Sequence, residues 1–280
     1  MRPWIRNGQW LAVVCSAFIA LTIGLHAKAM QASGCQSGWV PTFGEAMTAL
    51  DGPVTSMVHF DDGSGPALYV AGAFSSAGGS SARRIARWDG LKWSQVGGEV
   101  GLGMIYALAV FDDGSGPALY AGGTFSSIGG VVANRIARWD GERWSPLGEG
   151  VDNRIYCMTV FDDGSGPALY VGGWLMNAGG VPTESIARWD GSNWSALGEG
   201  LDDDVLTMTV FDDGSGPALF AGGRFGFSGA EFVPGIAKWD GTTWSAVGGS
   251  MNQSVHALTT ADLGDGPQLF AAGSFTRAGS

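Results

Sequence analysis

The chain has 280 residues, 45% of them hydrophobic, and a net charge of −11 with a pI near 4.5. That acidity argues against nucleic acid and anionic membrane surfaces as partners, because both would repel it. Its 48 Gly, 14 Phe and 12 Trp describe many short strands, tight turns and large aromatic fillers.

The first 29 residues read as an export signal. Arg2 and Arg6 supply a positive start, residues 11–25 (LAVVCSAFIALTIGL) an uncharged apolar run, and Ala27-Lys28-Ala29 an A-x-A cleavage site. An apolar run of 15 residues is short for a membrane-spanning helix, which takes about 20. Two alternatives stay open: an uncleaved anchor, and lipidation at Cys35, since Ala32-Ser33-Gly34-Cys35 loosely resembles a lipobox. The membrane enters only through these routes. Residues 30–53 form an N-terminal segment in which 39–44 (WVPTFG) resembles 144–148 (WSPLG), so it is expected to donate a ring-closing fourth strand.

From residue 54 onward the chain repeats. FDDGSGPALY occupies 60–69, 111–120 and 161–170, FDDGSGPALF 211–220, and a worn copy, ADLGDGPQLF, 261–270. The starts are 51, 50, 50 and 50 residues apart, and a fixed period of this size means a repeat architecture. The copies divide as 54–104, 105–154, 155–204, 205–254 and a partial 255–280.

In the second copy, 105–111 (IYALAVF) is an apolar run of strand length, buried on both faces. DDGSG supplies turn chemistry, Asp bonding its own backbone and Gly reaching positive φ. Pro117 opens a second strand, which runs into Gly122-Gly123. After a looser loop, 135–139 (RIARW) is a third strand, Asp140-Gly141 a turn and 144–147 a short fourth strand. Four short antiparallel strands per repeat predict an all-β fold, a β-propeller of four-stranded blades with four complete repeats and a truncated fifth. That truncation favours a fragment over an open ring, because a bare sheet edge is an aggregation liability.

The Gly-Gly doublets (122-123, 172-173, 222-223), the Trp-Asp-Gly turns (88-90, 139-141, 189-191, 239-241) and the later Trp93, Trp144, Trp194 and Trp244 together resemble the kelch repeat. The resemblance covers 54–280 and departs in having Trp-Asp-Gly where a Tyr-Asp-Pro-like turn is common. WD-type repeats share Trp-Asp but have a shorter period and a Gly-His pair absent from this chain. Kelch-like propellers include binding modules, a copper oxidase and sugar-modifying enzymes, so the fold leaves function open.

The residues argue against catalysis. Outside the leader only His59 and His256 exist, both in predicted first strands, and Tyr156-Cys157 would point to opposite strand faces. The position of Cys157 holds Ser56, Ala107, Thr207 and Ala257 in the other copies, which predicts a tight buried site. The expected function is an exported, non-catalytic binding or structural module at the cell surface or outside the cell, with a protein or glycan partner. The alternative is an extracellular carbohydrate-active propeller enzyme, oxidase or glycosidase-like, whose site lies partly beyond this chain.

Turns DDGSG and WDG share one face and barely vary; the remaining loops share the other and differ between copies, the usual pattern of a binding face. On that face Trp174, Arg154, Arg224, Asp202, Asp203 and Asp204 are the candidate ligand contacts. No cofactor is predicted. Calcium is the one metal the acidic turns leave open, although they lack the spaced ligand pattern of a calcium loop.

Overall fold

The computed structural model describes residues 50–249 and 251–279, and every regular element among them is a strand. The leader, the proposed ring-closing segment at 39–44 and Cys35 lie outside the described residues. Four successive copies each fold into a four-stranded antiparallel meander. The first uses Val54–Asp61, Pro66–Gly72, Ile85–Trp88 and Trp93–Gln95. The second uses Ile105–Asp112, Pro117–Gly123, Ile136–Trp139 and Trp144–Pro146. The third uses Ile155–Asp162, Pro167–Gly173, Ile186–Trp189 and Trp194–Ala196; the fourth Val205–Asp212, Pro217–Gly223, Ile236–Trp239 and Trp244–Ala246. The fifth copy has two strands, Val255–Asp262 and Pro267–Gly273. The architecture is a propeller-like array of blades.

Each hairpin is closed by an aspartate. In the second repeat Asp112 Oδ1 accepts from the N–H groups of Gly114 (2.9 Å) and Gly116 (3.0 Å). Both glycines have positive φ, 92° and 106°, which a side chain would strain. Asp140 closes the next turn in the same way, accepting from Glu142 and Arg143 N–H. Trp139 and Trp144 then face each other across the third and fourth strands, ring centroids 5.4 Å apart.

The core lies between blades. Phe60, Tyr69, Ile85 and Val96 of the first repeat pack against Ile105, Leu108, Leu119, Trp139 and Trp144 of the second. The same positions build the next two interfaces. The fourth-strand Trp of the second, third and fourth repeats also bonds backward: Trp144 Nε1 donates to Val96 O and Trp194 Nε1 to Leu147 O, both at 3.3 Å, and Trp244 Nε1 to Leu197 O at 3.1 Å. Burying an aromatic of this size contributes about 4–6 kcal/mol gross. The paired Trp are spacers between sheets, as their presence in each complete copy implies.

Two local features depart from the sequence reading. The loop between second and third strands contains a hairpin of two-residue strands, Ser127–Ile128 with Val131–Val132 in the second repeat. Val100, from the segment entering that blade, bridges to Ile128. The third strand starts at Ile136, not at 135, because Arg135 has a left-handed backbone (φ 66°). Its Nη1 donates to Val151 O at 3.0 Å, which ties down the following loop.

Candidate functional site

The register of every first strand slips by one residue near its start, so a single residue bulges out of each ladder. Those residues are Thr55, Tyr106, Tyr156, Leu206 and His256. Bulges re-aim side chains and concentrate next to functional sites. The second glycine of each doublet makes this one possible. A Cβ on Gly123 would sit 1.9 Å from Met104 O, and on Gly173 2.0 Å from Arg154 O. That carbonyl in turn accepts from the residue after the doublet: Met104 from Thr124, Arg154 from Trp174 and Asp204 from Arg224, at 2.8, 3.0 and 2.9 Å.

One rigid backbone frame therefore presents three side chains per blade, and these vary between copies. They are Pro53, Thr55 and Ala73; Met104, Tyr106 and Thr124; Arg154, Tyr156 and Trp174; Asp204, Leu206 and Arg224; Ser254, His256 and Ser274. Sequence comparison of the copies found Arg154, Trp174, Asp204 and Arg224. The bulged Tyr106 and Tyr156 were missed, because nothing in an apolar run marks which residue leaves the ladder.

The second and third frames meet at Tyr106 and Tyr156, and the charge of Arg154 reaches Asp204 of the fourth. The Arg154 guanidinium lies over the Trp174 ring, 5.6 Å from its centroid, and Arg154 Nη1 donates to Tyr156 Oη at 3.2 Å. Tyr156 packs on Tyr106 with ring centroids 5.9 Å apart. Arg224 Nη1 donates to Asp204 Oδ2 at 3.0 Å. Trp174 is 47% exposed and the Arg224 side chain 53%, whereas Asp204 is buried. Burial pushes the Asp204 carboxyl up and Arg224 opposes it; Asp203 raises it further, and Arg154 lowers it. Asp204 Oδ1 is enclosed and has no hydrogen-bond partner. Leaving one oxygen of a buried carboxylate without a hydrogen bond is costly.

The other two candidates are placed differently. Asp202 Oδ1 accepts from Gly226 N (2.8 Å) and Phe227 N (2.9 Å), fastening the small hairpin. Asp51, Asp152 and Asn252 perform the same bond in their repeats, so Asp202 has a structural task. Asp203 Oδ1 accepts from Asp204 N at 2.6 Å and orients its neighbour. Cys157 lies beside Tyr156 in sequence but on the buried side, where its thiol donates to Val205 O at 3.7 Å. Burial pushes that thiol well above its usual range.

On the constant face the carboxylates are engaged in turns and ion pairs. Asp113 accepts from the Tyr120 hydroxyl at 2.9 Å and lies 2.9 Å from Arg138 Nε. Burial raises Asp113, but bonds from Ser115 and Tyr120 and the charge of Arg138 outweigh it and hold the carboxyl below its usual value. Lys238 Nζ, 2.6 Å from Asp213, takes that carboxyl down to about 2. Among the described residues no three His, Cys, Asp or Glu side chains gather as metal ligands.

No protein-family model matches the chain, and no curated protein matches it.

Proposed function

We propose that this chain is an exported, non-catalytic binding module of the kelch-like propeller type, which takes a protein or glycan ligand at the rim formed by its third and fourth repeats. The observation that carries the reading is the contrast between frame and cargo. The backbone around each bulge is kept in all five copies, while the side chains it displays change from Met104-Tyr106-Thr124 to Arg154-Tyr156-Trp174 and Asp204-Leu206-Arg224. The third and fourth copies alone set a half-exposed Trp beneath an Arg and an ion pair with a buried Asp204 and a half-exposed Arg224 on that shared frame. The kelch-like doublets, the Trp-Asp-Gly turns and the leader features of residues 1–29 support the type and the export.

A test rewrites the third rim as the second. The full chain and its Arg154→Met, Trp174→Thr variant are applied to arrays of immobilised saccharides and of extracellular proteins. The reading expects binding by the parent, loss by the variant and equal melting temperatures. Binding that survives the double substitution overturns it, as does release of a modified saccharide product by the parent chain.

A further inference from the structure

From the rim geometry we infer the ligand class: a saccharide carrying an isolated anionic group, a carboxylate or a sulfate. The inference rests on the binding reading above and adds specificity to it. Arg154 is exposed and commits Nη1 to Tyr156; Arg224 is half-exposed and commits Nη1 to Asp204. A guanidinium has five N–H groups in a fixed fork, so both arginines keep donors for a ligand. The carboxylate that Arg224 holds is closed to a ligand, the Asp204 side chain being 5% exposed, while its exposed neighbour Asp203 commits Oδ1 to the Asp204 N–H. A site with donors to offer and its buried carboxylate shut away selects an acceptor-rich partner.

Charge-assisted, bidentate bonds from Arg to a carboxylate or sulfate are roughly twice as strong as neutral ones, so an anionic oxygen pair outcompetes a hydroxyl there. Trp174 supplies the second element. Arg154 covers part of its ring and holds it in place, and 47% of the residue remains open to a flat apolar surface such as one face of a sugar ring. Asp204 acts as a positioning residue, fixing the Arg224 fork through Oδ2. The net charge of −11 limits the ligand further. A polyanion would meet long-range repulsion over about 8–10 Å at physiological salt, whereas one anion on a neutral ring meets the local arginines first.

The test is calorimetry of the full chain with three probes: a neutral galactose oligosaccharide capped by a single galacturonate, its carboxyl-reduced neutral counterpart and a monosulfated galactose oligosaccharide. The expected result is binding of an anionic probe at least about tenfold tighter than the neutral one. Preference for the galacturonate assigns a carboxylate, and preference for the sulfated probe assigns a sulfate. Arg154→Gln is expected to erase the anionic preference while retaining the neutral sugar's weak binding; Trp174→Ala is expected to weaken all three. Arg224→Lys, which keeps the charge on Asp204, is expected to retain part of the preference. Equal affinity for the neutral and anionic probes overturns the inference and leaves the binding reading intact. No binding to any of the three also overturns it, and the protein array then decides the broader reading separately.

Discussion

Trp194 Nε1 donates to the carbonyl of Leu147, 47 residues earlier and one blade back. Both partners are buried, and Trp144 with Val96 and Trp244 with Leu197 repeat the bond. It converts a nonspecific aromatic contact between sheets into one with a fixed height and orientation.

Trp194→Phe therefore removes a donor and leaves the Leu147 carbonyl enclosed, a loss of about 1–2 kcal/mol. Trp194→Ala adds a cavity and is expected to cost about 3–5 kcal/mol. Urea unfolding of the two variants checks the ranking; a Trp194→Phe variant as stable as the parent would mean that the hydrogen bond contributes nothing.

The two glycines of a doublet differ in what surrounds them. A Cβ on Gly173 would meet the Arg154 carbonyl at 2.0 Å, and backbone cannot step aside, so Gly173→Ala is expected to cost about 3 kcal/mol. A Cβ on Gly122 would meet the side chains of Ile155 and Met158 at 2.9 and 3.0 Å. The first repeat carries Ala71 at that place, and Gly122→Ala is expected to cost about 1 kcal/mol. Thermal melts of the pair decide it.

Asp113 has a folded-state pKa below its unfolded one, so its stabilising effect is present above the unfolded value, about 3.9, and is lost as pH falls through the folded value. Asp113→Asn should thus melt below the parent at pH 7, with the gap closing towards pH 3. A gap that is constant with pH would show that the carboxylate charge has no role beside Tyr120 and Arg138.

Asp204 has the opposite sign. Burial raises its pKa, so the charged form disfavours folding above the folded pKa, and that cost is relieved as pH falls through it. Arg224→Ala removes the main opposing charge and leaves Arg154 and Asp203 nearby. Its melting temperature should trail the parent's more at pH 7.5 than at pH 5.

Much of this fold was legible because turns announce themselves. DDGSG and Trp-Asp-Gly located the hairpins, and the closing strands followed. The small hairpins at 127–132 and its counterparts were not legible: two residues per strand leave no alternation to read. The bulge was hidden within runs such as IYALAVF, where every residue suits a buried strand. Arg135 extended its predicted strand by one residue because sequence does not reveal a left-handed backbone at a non-glycine. Asp202 could have been sorted correctly, since Asp51, Asp152 and Asn252 stand in its register.

A ligand seated at the proposed rim of the third and fourth repeats would touch Arg154 and Trp174. The most direct measurement is galacturonate titration of the parent against Arg154→Met, Trp174→Thr, with melts run in parallel. Saturable binding by the parent and none by the variant is expected, with equal melting temperatures. Equal saturable isotherms from the two proteins would contradict it.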